Sequence, residues 1–293
     1  MKKVLISSFL IMALVLLTIP LGVMSQEKDK PVQATNIEIV KKVTVQGKPK
    51  GGKPSKGAAT GILGALCTGN KYAIGIGISD YPGTSSDLSY CDDDAISFSQ
   101  ILQADYGFDP NNINLIIDGN ATYSAIVNAI KNFKETLTCN DELVFFFSGH
   151  GAKGKADDGD SEAVDESIVI WGDDGNFGYL WDGELKKLFE GFPTSRIIFV
   201  FDSCLSGGMT DLAASGRVIN MACSESGVSY EFDSLRHGQF TYYFAIEGMN
   251  QKKADTNRQD SYVTDEEAFD YAVSKCVYQK PTISDSFAYD LLP

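Results

Sequence analysis

The sequence predicts an α/β fold, with a mostly parallel central sheet of about six strands and helices on both of its faces. Three observations predict it. Short, wholly apolar runs recur from residue 71 onward, and stretches with apolar residues at helical spacing lie between them. Two of the runs also end in glycine-rich turns, the kind that bind ligands at the carboxyl edge of a parallel sheet.

Residues 72–78, 113–117, 143–147, 197–201 and 218–222 are the candidate strands, and 143–147 reads Leu-Val-Phe-Phe-Phe with no polar residue at alternate positions. A strand with one wet face alternates, whereas one covered on both faces does not. Ile96, Ile101 and Leu102 mark a helix over 93–104, and Ile126, Ile130 and Phe133 mark one over 122–136. Further helices are expected at 182–189, 238–248 and 264–276. Thr264 with Glu267 three residues on has the spacing of a capping box, and Asp182 suits an N-cap.

The first 66 residues are different material. Lys2 and Lys3 precede an apolar run from Val4 to Leu17, and Val23-x-Ser25 suits a signal-peptidase cut, the layout of a cleaved export signal over residues 1–25. An uncleaved anchor is the competing reading, which Pro20 and Gly22 at the expected cut disfavour. Residues 26–66, rich in Lys, Gly and Pro, read as a flexible linker or pro-segment, which leaves 67–293 as the main domain. Once the signal is removed no stable membrane insertion is expected, and the protein should work outside the cell or in the cell envelope.

With 39 acidic against 25 basic residues the net charge is −14, so most of the surface would repel a phosphate backbone and nucleic acid is excluded as a partner. Six cysteines in an exported chain would ordinarily imply disulfides, at most two if one thiol is kept for chemistry, and their spacing matches no zinc site. The oligomeric state is left open by the sequence.

The run 143–147 is followed by Ser148-Gly149-His150-Gly151, and 197–201 by Asp202-Ser203-Cys204-Leu205-Ser206-Gly207-Gly208. Neighbouring parallel strands would bring His150 and Cys204 to one sheet edge, where an imidazole can take the thiol proton and later protonate a leaving amine. The glycines let a substrate backbone approach, and the amides of Gly151 and Cys204 are candidate donors to an oxyanion. Taken singly, a buried cysteine or a loop histidine is structural; their joint placement at two strand ends favours a catalytic dyad. His237, just ahead of a predicted helix, reads as structural.

These two turns, together with YAIGIGISDY on the first strand, LSYCDDDA opening the first helix, and VSYE and GQFTYYF after the cysteine, resemble the metacaspases and their bacterial and archaeal caspase-like relatives. The separation of His150 and Cys204 is similar to the roughly 50 residues between the same pair in caspases. The resemblance implies a caspase-haemoglobinase-like fold and a cysteine endopeptidase, a hydrolase that needs no cofactor for its chemistry. It also implies that Asp202, two places before the cysteine, and Asp94, on the first helix, face the primary specificity pocket. Two carboxylates there favour Arg or Lys, so the expected partners are proteins or peptides with basic residues. Helix capping is the alternative role for both.

The acidic insertion ADDGDSEAVDE and WGDDGN resembles the calcium-responsive region of metacaspases, with Asp165 and Asp182 in matching places as metal ligands. Ca2+ is therefore the one expected ion. The family's Asp-Asp-Glu-Leu reads Asp182-Gly183-Glu184-Leu185 here, one ligand short, and a solvated acidic loop is the alternative. Basic residues in 26–67, and Lys252, Lys253 and Arg258, are the expected sites of self-processing of a zymogen. The competing functions are a legumain-like peptidase with Asn specificity, a non-catalytic secreted binding module on the same fold, and a hydrolase using Ser203 or Ser206. The last lacks a G-x-S-x-G elbow.

Overall fold

Along β5 (Glu142–Ser148), Leu143, Phe145 and Phe147 enter one buried layer and Val144 and Phe146 the other, so every position is covered. β9 (Ile197–Asp202) divides in the same way, Ile197, Phe199 and Phe201 against Ile198 and Val200. These two strands sit at the centre of a six-stranded sheet of order β13-β10-β9-β5-β3-β4, completed by β3 (Lys71–Gly77), β4 (Ile113–Ile117), β10 (Arg217–Met221) and β13 (Thr282–Asp285). All pairings are parallel except β13 on β10, which closes the edge antiparallel. This computed structural model describes residues 30–49, 57–159 and 161–293. The chain divides into residues 1–30 and 31–293, and the fold lies in the second unit. The expected export signal lies outside the described residues.

α1 (Cys91–Tyr106), α4 (Gln239–Thr241) with the π-helical stretch Tyr242–Asn250 that continues it, and α5 (Asp265–Lys275) cover one face through Phe98, Phe240, Phe244 and Phe269. α2 (Tyr123–Thr136) and α3 (Asp182–Phe189) cover the other through Ile126, Ile130, Leu185 and Phe189. Thr264 and Glu267 make both bonds of the expected capping box. Asp182 is not the N-cap of α3 but its first residue, after Trp181.

Two smaller sheets flank the carboxyl edge. One has order β1-β6-β7-β8, from β1 (Ala34–Val40), β6 (Gly151–Ala156), β7 (Asp165–Trp171) and β8 (Phe177–Trp181), all antiparallel. The other has order β12-β11-β2, from β2 (Val43–Val45), β11 (Tyr230–Phe232) and β12 (His237–Gly238).

The described part of 26–66 is therefore not a flexible linker. β1 pairs with β6 from Ala34 opposite Ala156 to Val40 opposite Gly151, and β2 runs parallel to β11. The Ala58 and Ala59 amides donate to Asp270, and those of Thr60 and Gly61 to Asp290. The domain thus begins well before residue 67. Both added strands lie at sheet edges with mostly exposed side chains. Ile37-Glu38-Ile39 and Val43-Thr44-Val45 do alternate as strands do, a signal passed over inside a stretch read for its Lys, Gly and Pro, and the partners of both strands lie far along the chain. The expected disulfides are absent: all six cysteines are free thiols, and Cys91, Cys204, Cys223 and Cys276 are buried.

Candidate active site

Ser148 and Asp202 are register partners at the carboxyl ends of β5 and β9, and His150 and Cys204 each follow two residues later. Equal strand ends thus place the two reactive side chains at one level of the sheet edge. The backbones press together there: a Cβ on Gly151 would meet the Cys204 carbonyl oxygen at 2.0 Å, so the residue after the histidine must be glycine. Leu205 turns the chain after the cysteine with φ 59°, a left-handed conformation held by its N–H to the Gly227 carbonyl at 3.0 Å.

The imidazole of His150 stacks on Tyr81 with ring centroids 4.7 Å apart, and its backbone N–H donates to the Tyr81 hydroxyl at 2.9 Å. Nε2 lies 2.8 Å from the Ser86 carbonyl, which can only accept, so Nε2 carries the proton. Nδ1 then accepts the backbone N–H of Lys42 at 3.0 Å. Burial, with help from Lys42 and Lys41 and against the Ser86 bond, lowers the His150 pKa to about 4. Burial likewise raises the Cys204 thiol to about 12, despite the Ser229 N–H that reaches Sγ at 3.2 Å. Both shifts favour the uncharged forms of the imidazole and the thiol, and among the described residues no direct hydrogen bond joins His150 and Cys204.

Asp202 and Asp94 are both buried and converge on the Lys42 ammonium, and neither caps the helix next to it in sequence, although Asp202 accepts a first-turn N–H of α4. Asp202 accepts from the Ser229 hydroxyl at 2.6 Å and from the Thr241 amide and hydroxyl at 3.0 and 2.7 Å. Asp94 accepts from the Ser148 hydroxyl at 2.7 Å and the Gly238 amide at 3.1 Å. A Cβ on Gly238 would meet an Asp202 oxygen at 2.2 Å and an Asp94 oxygen at 2.9 Å, so glycine leaves the pocket its room. His237, read as structural, bonds Asp94 through Nδ1 at 2.9 Å and so positions that carboxylate.

The pocket holds a cation of the chain itself. Lys42 is fully buried, its ammonium 2.9 Å from Asp202 Oδ1, 2.9 Å from the Asp202 carbonyl, 3.0 Å from Ser148 Oγ and 3.6 Å from Cys91 Sγ. Burial would lower the pKa of this ammonium, yet Asp202, followed by Cys91, Asp94 and Glu231, raises it well above its ordinary value. Burial would raise Asp202, yet Lys42 and the Ser229 hydroxyl hold it below the ordinary carboxylate range. Cys91, Ser148, Glu231 and Lys42 were missed as pocket residues. The first three sit inside sequence stretches already singled out, whereas nothing local marks Lys42.

Asp165 and Asp182 come together, joined by Asp158, with ligand oxygens within 4.8 Å of one another; Glu162 and Glu166 meet Asp182 in the same way. Asp158 Oδ1 and Glu166 Oε2 are buried without a hydrogen-bond partner. Burial and the surrounding carboxylates raise both Asp182 and Glu166 to about 8. A cation would satisfy those oxygens, so the cluster fits a hard divalent ion. Glu184, from the departing motif, instead accepts from the Tyr123 hydroxyl at 2.5 Å.

Residues 71–213 match the family described as metacaspase, peptidase C14 domain. The chain is 33% identical over 157 residues to metacaspase-1 of Schizosaccharomyces pombe, covering 50% of this chain and 36% of that protein. It is 33% identical over 151 residues to metacaspase-4 of Arabidopsis thaliana, 49% of this chain and 35% of that protein. With Arabidopsis metacaspase-7 it shares 28% over 202 residues, 64% and 48%. The match thus spans less than half the length of these relatives. A crystal structure of a Geobacter sulfurreducens protein superposes with TM-score 0.56 at 18% identity, covering 76% of this chain and 95% of that one, which is a likeness of fold.

Proposed function

We propose, from the premise that this chain belongs to the metacaspase, caspase-like cysteine peptidases, that it is a cysteine endopeptidase cleaving after Arg or Lys. The observation that carries the specificity is the Lys42 ammonium seated between Asp202, Ser148 and Asp94 beside the dyad. A pocket that holds a lysine against two carboxylates suits a basic side chain better than Asn, whose neutral amide would leave a buried carboxylate without its charge partner. Arg can bond two acceptors at once.

In this mechanism His150 Nδ1, vacated by the Lys42 amide, takes the proton of Cys204, while Nε2–H on the Ser86 carbonyl keeps the ring oriented. The sulfur adds to the carbonyl carbon before the scissile bond, and the Gly151 and Cys204 amides are the donors assigned to the oxyanion. The imidazolium protonates the departing amine, and water then hydrolyses the thioester. Asp158, Asp165, Asp182 and Glu166 would hold Ca2+, which supplies charge neutralisation to the loop after β6 and no chemistry to the dyad. Export, latency and self-processing complete the proposal. The test is hydrolysis of a fluorogenic Arg peptide by wild type, Cys204→Ala and His150→Ala, with calcium and with chelator. Turnover by wild type alone supports it, and turnover by Cys204→Ala refutes it.

A further inference from the structure

β1 and β2 belong to different sheets: β1 ends with Val40 opposite Gly151, next to His150, and β2 pairs with β11 beside Ser229, whose amide reaches Cys204 Sγ at 3.2 Å, so Lys41 and Lys42 are the residues that cross from one to the other. The crossing therefore lies over Cys204 and His150, with one lysine in the pocket. The question is whether that lysine is presented as a substrate.

For the bond after Lys42 to break, the Cys204 sulfur adds to the Lys42 carbonyl carbon, the Lys42–Val43 C–N bond breaks, and the proton taken by His150 goes to the Val43 nitrogen. That nitrogen is engaged elsewhere: the Val43 N–H donates to the Ser229 carbonyl at 3.1 Å, beside the parallel β2–β11 ladder. The nitrogen at His150 Nδ1 is that of Lys42 itself, on the N-terminal side of the residue in the pocket. A productive chain presents the nitrogen on the C-terminal side. The alternative bond, Lys41–Lys42, would put its leaving nitrogen at His150, but its pocket residue would then be Lys41. The ammonium of Lys41 instead bonds the Ser85 carbonyl at 2.7 Å, on the exposed side.

We propose that residues 34–45 form a pseudosubstrate strap that runs through the cleft in the sense opposite to a substrate. It is anchored by Lys42 and by the β1–β6 and β2–β11 pairings, and it blocks the dyad without being cut at Lys42. The strap both fills the pocket and occupies the nitrogen that must accept the thiol proton. Activation is therefore displacement of the strap, or cutting outside it. This rests on the pocket being the site for the residue before the scissile bond.

The experiment uses the full chain as wild type, Lys42→Glu and Lys42→Met, with circular dichroism as the check on folding. Alkylation of Cys204 by iodoacetamide is followed by mass spectrometry, alongside hydrolysis of an Arg peptide. Because both rates scale with the fraction of open cleft, Lys42→Glu should exceed wild type by about tenfold or more in each, from time zero. A synthetic peptide of residues 33–46 should inhibit Lys42→Glu competitively and be recovered whole. Equal alkylation in wild type and both folded variants overturns the strap. So does cleavage of the peptide at Lys41–Lys42 or Lys42–Val43, or the appearance of Lys42 or Val43 as a new N-terminus in incubated wild type, a readout that needs no variant to fold. If alkylation rises in Lys42→Glu while no form cleaves Arg peptides, the strap stands and the basic specificity falls.

Discussion

The ammonium of Lys42 lies 2.9 Å from the carboxylate of Asp202, and neither side chain has any solvent-exposed surface. Removing one member of a buried pair costs about 3–5 kcal/mol, because the other charge stays buried alone. Asp202→Asn should therefore lower the stability of the full chain by that order, and by much less in a Lys42→Met background. A double-mutant cycle by denaturant unfolding checks it, and additive single effects would mean that the two groups do not couple.

Gly151→Ala should abolish peptide hydrolysis while Cys204 remains present and unmodified. The new Cβ must displace the Cys204 carbonyl that would lie 2.0 Å from it, which shifts the turn that carries Cys204. Misplacement by about 1 Å can cost roughly a hundredfold in rate. Steady-state kinetics with a thiol titration separates lost geometry from lost protein.

The central sheet was legible because its signal is local and strong. The apolar runs at β5 and β9 and the glycine-flanked His150 and Cys204 at their ends are consequences of burial on both faces. The spacing of Ile126, Ile130 and Phe133 likewise marked α2. The two strands of the strap had a local signal, the alternation of Ile37-Glu38-Ile39 and Val43-Thr44-Val45, that was passed over, whereas the Lys42–Asp202 pair had none, since it joins residues 160 apart in sequence. A lysine destined for a buried pocket looks, in sequence, like any lysine of a polar segment. Asp158 was inside the acidic run, but only the folding of that loop onto α3 selects it from its neighbours.

Asp265 and Glu266 at the start of α5 make stability fall with rising pH. Burial raises Asp265 to about 8 against the Asn220 amide that bonds it, and burial with Asp265 raises Glu266 to about 9. The unfolded chain loses both protons near pH ~4. Their contribution is thus full below about pH 4 and is lost as pH climbs through 8 and 9. Tm measured in chelator should decline across that window, with a flatter slope in Asp265→Asn/Glu266→Gln. An unchanged slope would contradict it.

Calcium should raise Tm and activity together at neutral pH, because it satisfies the buried oxygens of Asp158 and Glu166 and the clustered charge of Asp165 and Asp182. Millimolar concentrations are expected to suffice, the range over which weak calcium sites fill. Asp158→Asn should weaken both effects. Identical Tm in calcium and in chelator, for protein stripped of metal, would leave the cluster as an acidic loop.

The central claim is a Cys204 and His150 peptidase with a carboxylate-lined pocket, and one measurement reaches it most directly. A peptide library varying the residue before the scissile bond is hydrolysed by Lys42→Glu, with Lys42→Glu/Cys204→Ala as the blank. The account predicts cleavage after Arg and Lys, Arg at least equal to Lys, no cleavage after Asp, and none at all by the blank. Preference for Asp or Asn, or turnover by the blank, would contradict it.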